Sequence, residues 1–385
     1  MKKTIYLSII ALALAGFTAC DPDENITENP NLKLLEQIVP NYVDNTIIPT
    51  YKSLADKSID LHEALLALRA NKTDANVLTA ATLWKESRNY WEQSEAFLYG
   101  AAADFGIDPH IDTWPLDRNA LESKLANVEN LQNMSDDELV AWAKEQQAGL
   151  LGFHGIEFIL FADGNTKSAS QISDNQLLYA IAIAGDLRNQ CIRLEAAWAG
   201  LDNVSDEKQE IIENEELTVT FANGKSYGEN MKNAGKAGST YNSFTDATED
   251  IIQGCLDISD EVGAMKIGKA HSGDDINYIE SPYSYNSIID FEGNIESIRN
   301  AYLGGTTDVT RKESLHTFFQ KVNSTFDAQV IAAINDAVAK IRAIKNFETN
   351  PGSVQAGAAI EAIGNLTDLF EQMQGNNGEL RKAVE

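Results

Sequence analysis

The strictest condition on any fold open to this chain comes from residues 149–162, GLLGFHGIEFILFA, where His154 and Glu157 are the only residues that are neither apolar nor glycine. A helix that is apolar on every side must be surrounded by other elements. The segment therefore predicts a central helix in a packed body. Positions three apart on a helix share a face, with Cβ atoms roughly 5–6 Å apart, so His154 and Glu157 should point the same way. A buried carboxylate needs a partner, a set of hydrogen bonds or a metal ion. Gly152 and Gly155 flank the histidine, each costing a helix about 1 kcal/mol relative to alanine. Such a cost is expected where another backbone or a ligand comes close. A His-x-x-Glu pair can also be an ordinary satisfied core pair, but the apolar surroundings and the two glycines favour a functional site.

The rest of the chain reads as helices. Residues 32–70 are helical with breaks at Pro40 and Pro49. Residues 73–101 carry a seam of Val77, Ala81, Trp84, Arg88, Trp91, Glu95 and Leu98. Arg88 and Glu95 stand where a bundle expects hydrophobes, so they should either converge with His154 and Glu157 or form a buried structural ion pair. Ser135 with Glu138 is a capping box opening the helix that runs into the central segment. Further helices are expected over 174–200, 242–266, from Asn286 to the Gly304-Gly305 stop, over 312–344 as one long rod, and over 354–374. Residues 216–228 alternate as a strand and turn at Asn223-Gly224, which predicts a hairpin. The loop containing His110 and Trp114, and the one over 271–287, could shape a pocket mouth. The fold class is all-α: two related helical-bundle halves, 32–165 and 166–385, arising from a diverged duplication, with one small β-hairpin.

The first nineteen residues read as a secretory signal, with Lys2 and Lys3, an apolar core from Ile5 to Ala15, and small residues ahead of Cys20. The GFTAC ending resembles a bacterial lipobox, which would make Cys20 a lipid-modified N-terminus, and the polar, acidic residues up to 31 a tether. The expected location is the cell envelope, on a lipid anchor at the outer membrane, with no other membrane contact. The full chain carries a formal charge of −28. That sign makes nucleic acid an unsuitable partner. Cys191 and Cys255 lie in apolar helical contexts and read as two separate buried thiols.

Three separated blocks resemble the imelysin family. GFHGIEF matches its Gly-x-His-x-x-Glu motif. WKESRNYWEQSEAFLYG, with Trp84, Arg88, Ser94 and Glu95, is similar to its first-half helix, and IDTWPLD to the loop that follows. IESPYSYNSIIDFEGNIESIRNAYLGG is similar to its second-half signature, with Glu280, Ser281, Ser284, Asn286, Asp290 and Gly304 at matching positions. The resemblance implies two helical halves with a pocket between them, and relatives among iron-regulated proteins and periplasmic iron-uptake components.

Three functions follow. The first is a binding protein for iron, zinc or a small ligand, with His154, Glu157 and Glu95 as metal ligands and Arg88, Ser94, Glu280, Ser281, Ser284 and Asp290 around them, passing its cargo to an uptake-system partner. The second is a zinc-dependent peptidase, which needs three protein ligands and one open position; the sequence shows no HExxH and no obvious third ligand. His271 precedes the second loop, and Glu313 with His316 makes only one of the two Glu-x-x-His pairs a di-iron bundle requires. The third is a non-catalytic surface-interaction lipoprotein whose buried polar groups only specify packing.

Overall fold

The computed structural model describes residues 29–126 and 131–385. The signal segment, Cys20 and most of the tether lie outside them. Residues 29–31, read as tether, are the start of the first helix: Asn29 caps Pro30–Tyr42 by accepting from the Asn31 amide. The Asn29 and Asn31 side chains donate to the carbonyls of Val384 and Ala383, tying this end to the C-terminal helix.

Helices account for almost all regular structure, and no described helix is long and apolar enough to cross a membrane. Asp174–Ala199 is the centre of the first bundle. Nineteen of its twenty-six residues are buried, which its near-continuous apolar sequence requires. It starts at a capping box formed by Ser173 and Gln176 and stops at Gly200. Around it stand Ile48–Ala70, Asp136–Lys144 and Gly152–Leu160, and Asp74–Glu92 packs on Ile48–Ala70. The second bundle joins Phe244–Asp260, Ser287–Leu303, Ser324–Ala343 and Val354–Met373. Asp174–Ala199, which follows the expected division near residue 165, packs with the first bundle. Conversely, Pro30–Tyr42 packs on Phe244–Asp260 of the second.

Local structure departs from expectation at five more places. The only β-ladder among the described residues pairs Phe161–Ala162 with Asn165–Thr166. Residues 216–228 keep the turn, with the Phe221 amide donating to the Lys225 carbonyl, but form no strand. The 312–344 rod is two helices, Leu315–Val322 and Ser324–Ala343, because the Asn323 side chain accepts from the Phe326 amide and caps a new start. The 73–101 helix ends at Glu92, and Glu95 lies in a following 3₁₀ turn, Glu95–Phe97. Finally, Phe244–Asp260 widens into a π-helical turn, Glu261–Ile267. Cys191 and Cys255 are buried free thiols.

The bundles meet where Asp74–Glu92 and the Glu95–Phe97 turn pack against Ser287–Leu303 and Phe244–Asp260. There the Ala96 amide donates to Ser297 Oγ across the seam, at 3.1 Å.

Candidate functional site

The central helix starts at Gly152, whose φ of +62° suits glycine. A Cβ at this position would lie 1.9 Å from the Ile111 carbonyl oxygen, and one at Gly155 would lie 2.8 Å from Ile183 Cδ1. Gly155 thus makes room for the Ile183 side chain, while the close backbone approach is real at Gly152. Its consequence is chemical, since the short helix Asp108–Asp112 is brought down on the motif and Asp112 Oδ1 lies 2.9 Å from His154 Nε2. Trp84 pins the other side by donating from Nε1 to the Phe153 carbonyl at 2.9 Å.

Arg88 stands at the middle of the site with no solvent exposure. It pairs with Asp112, with Glu92 at 2.5 Å and with Glu280 at 2.8 Å, and Asp290 lies 3.9 Å away. Burial opposes its charge, but the four carboxylates hold its pKa well above the ordinary value. Trp91 donates to Asp112 at 2.7 Å, while Ser281 and Asn286 donate to Asp290 at 2.5 and 2.7 Å. Lys266, on the π-helical turn, places its ammonium 3.5 Å from Glu95, 3.6 Å from Glu280 and 3.7 Å from Glu92.

These carboxylates differ in charge state. Burial raises Asp112, yet Arg88 and His154 outweigh it and hold the group well below the usual range. At Glu92 burial wins over Arg88 and Lys266, and the pKa rises to about 8; Asp290 rises to about 6 for the same reason. Burial also lifts Glu95 well above a normal carboxylate. For His154 burial favours the neutral ring, but Asp112 and Glu157 overcome it and raise the pKa to about 9. The His154 contact with Asp112 is close but poorly aligned, so neither ring nitrogen has a well-directed hydrogen-bond partner.

Two overlapping sets of side chains could hold a cation. Ligand atoms of Asp112, His154 and Glu280 lie within 4.8 Å of one another, as do those of Glu92, Glu95 and Asp112. Glu157, expected as a ligand, belongs to neither set. Its Oε1 accepts from the amides of Tyr283 and Ser284 and from Ser284 Oγ at 3.1, 2.8 and 2.7 Å, and its Oε2 is 3.8 Å from His154 Nδ1. The residue thus docks the second-bundle loop onto the central helix. Glu95 reaches the cluster from the Lys266 side rather than beside His154. Ser94 donates to the Trp91 carbonyl and ends its helix. Glu280, Ser281, Ser284 and Asp290 all stand at the site.

Sequence reasoning missed Asp112, Glu92 and Lys266. Asp112 lay inside the IDTWPLD block and Glu92 one helical turn after Arg88, which were usable signals; Lys266 had none. Other candidates sit elsewhere: His271 contacts the Pro351 carbonyl, His316 pairs with Asp327, and Glu313 is exposed. Both expected loops do shape a cleft of about 740 Å³, lined by Trp114, Arg118, Phe158, Lys167 and Tyr283 among others. The Trp114 ring packs on the His154 ring at 4.6 Å between centroids.

The chain is similar to imelysin-like and iron-regulated proteins. The family model for imelysin matches residues 47–373. An iron-regulated protein A of Synechococcus elongatus is 27% identical over 372 residues, covering 94% of this chain and 91% of that protein. A crystal structure described as an iron-regulated protein A precursor from Parabacteroides distasonis superposes with a TM-score of 0.75 at 25% identity, over 92% of this chain and 96% of that one. The fold is shared also by an imelysin-like protein from Psychrobacter arcticum, at a TM-score of 0.59 and 14% identity over 88% and 93% of the two chains. With the family match spanning most of its length, the chain belongs to the imelysin family.

Proposed function

We propose that this protein binds a metal ion, iron in preference to zinc, through Asp112, His154 and Glu280, and that it serves metal uptake at the cell envelope. The observation that carries this reading is His154: a buried imidazole whose two nitrogens lack aligned hydrogen-bond partners, beside two carboxylates within ligand reach. Leaving buried polar atoms unsatisfied costs about 1–3 kcal/mol each, and a cation bound there would relieve that cost. One imidazole with two carboxylates suits iron or zinc. The names of two relatives, which refer to regulation by iron, favour iron.

Each residue has a separate task. Arg88 is shared between Asp112 and Glu280, so it fixes the orientation of both carboxylates that would hold the ion. His154 binds as the neutral ring, so loading releases its proton. Glu157 holds the 281–285 loop in place, and with it the neighbouring Glu280.

A zinc peptidase would find its three ligands in the same set. Yet Asp112, His154 and Glu280 are at most 5% exposed and Trp114 covers the imidazole, which leaves a polypeptide no approach to the ion. Binding therefore fits better than cleavage. The envelope location rests on the leader and Cys20, and fatty-acid labelling of the wild type against Cys20→Ser tests it.

The deciding experiment is metal analysis and calorimetric titration of protein purified without a chelating tag. The wild type should take up iron and His154→Ala should lose it. Unchanged metal content in the variant rejects the reading. Cleavage of denatured substrates that stops on chelation would support the peptidase instead. Neither metal nor cleavage would leave the interaction lipoprotein.

A further inference from the structure

Two ligand sets share Asp112, but only one contains the histidine. The other is made of carboxylates alone, and a cation already stands beside it. The Lys266 ammonium is almost equidistant from oxygens of Glu95, Glu280 and Glu92, at 3.5, 3.6 and 3.7 Å. A charge-assisted contact normally closes to about 2.7–2.9 Å. None of these three does. The carboxylates are arranged around the ammonium as around a common cation rather than paired with it.

Two further features belong to the same place. Glu92 is wholly buried, and its Oε1 has no well-aligned hydrogen-bond partner despite the nearby guanidinium of Arg88. Glu95 also lines a cavity of about 310 Å³ whose other acids are Asp108, Asp257 and Glu261, a negatively charged approach for a hydrated cation. Lys266 itself is held by the π-helical turn Glu261–Ile267, a rare conformation that is frequent at functional sites.

We propose that Lys266 is a tethered cation filling the all-carboxylate half of the site, so that the native chain accepts one metal ion where its ligands could serve two. The inference rests on the proposed function for the histidine half. Glu92, Glu95, Asp112, Glu280 and Asp290 supply five carboxyl groups around the two permanent cations Arg88 and Lys266, and burial keeps Glu92 and Glu95 protonated until a metal takes the place of their protons. Removing Lys266 would open a hard, oxygen-only position of the kind that suits manganese or magnesium. Asp112 would then bridge two ions, as carboxylates do in two-metal sites.

The test is a manganese titration followed by calorimetry and by the electron paramagnetic resonance of free Mn²⁺. The wild type should bind one ion per chain and Lys266→Met two, and adding Glu95→Gln to Lys266→Met should abolish the second. One ion in both wild type and Lys266→Met overturns the inference and leaves the histidine site standing. One ion in the variant with none in the wild type rejects the histidine site and, with it, the single ion that the inference gives the native chain. No binding in either rejects both, and a second ion that survives Glu95→Gln places it elsewhere and overturns the inference. Should Lys266→Met not fold, Lys266→Gln keeps a donor of similar reach and gives the same count.

Discussion

Two buried lysines in this protein meet carboxylates in opposite ways. Lys208 bridges Asp56 and Glu195 at 2.5 Å each, joining two long helices of the first bundle to the short helix Asp206–Asn214. Lys266 faces three carboxylates and closes on none of them. The Lys208 cluster is completed by its own side chains, and Asp56 reaches solvent, with 45% of its side chain exposed. The Lys266 cluster is almost wholly buried, its carboxyl groups outnumber its permanent cations, and several of its polar atoms lack aligned partners. Burial of charge alone thus does not mark a site. Incomplete pairing does, because folding would otherwise leave the desolvation cost unrecovered.

The largest effect that could break this contrast is at Arg88. Arg88→Leu would strand Asp112, Glu92, Glu280 and Asp290, and removing one member of a buried cluster costs about 3–5 kcal/mol. Urea unfolding of the metal-free protein should show at least that loss, and a variant as stable as wild type would mean the cluster is already neutral.

Lys208→Met should cost less, about 2 kcal/mol, since solvent screens Asp56. Added manganese should raise this variant's unfolding midpoint only as much as it raises that of the wild type; a larger rescue by metal would erase the distinction between the two clusters.

The third effect is on pH. His154 is held near 9, above its ordinary 6.5, so the stability it contributes is complete below about 6.5 and is lost as pH rises through 9. Glu92 acts in the same direction: folded, it keeps its proton up to about 8, whereas an ordinary carboxyl releases it near 4.5. Metal-free protein should therefore lose stability, of order a few kcal/mol, between pH 5 and 9. Asp112, held low, supplies the opposite limb: its contribution is present above pH 4 and lost in stronger acid. Metal affinity should rise over pH 6–9, because His154 must shed its proton to bind. Unfolding and titration at matched pH values check both slopes, and a flat metal affinity would remove His154 from the ligand set.

The smallest effect is at Ser284. Ser284→Ala removes one of three donors to Glu157 and should cost about 1 kcal/mol, with metal stoichiometry unchanged. A lost ion would return Glu157 to the ligands.

Much of the fold was legible in the sequence because helix periodicity and caps are local. The apolar run over 174–199 and the capping box at Ser135 both appear as expected. What failed was also local in cause: Asn323 capping a new helix within an apparently continuous rod, and a turn at Asn223-Gly224 without flanking strands to pair. At the site, His154, Arg88, Glu280 and Asp290 could be picked because polar residues in apolar patterns stand out. Glu157 was picked for the same reason, but nothing in a helix pattern reveals that a loop over 120 residues later supplies the hydrogen bonds to its Oε1. Asp112 was passed over because an aspartate in a loop is ordinary until Gly152 lets that loop descend onto the imidazole.

By itself the sequence determined an all-helical body, a central apolar helix bearing a histidine and a glutamate, and membership in a recognisable family. The first two follow from periodicity and composition, which act within a few turns of chain, and the third from the resemblance of three separated sequence blocks. Only the tertiary structure decided which acids meet the histidine, that Arg88 binds them together, and that Lys266 stands among them at arm's length. Such choices depend on how two bundles close against each other, and the electrostatic cost of a buried charge is fixed only once all its neighbours are in place.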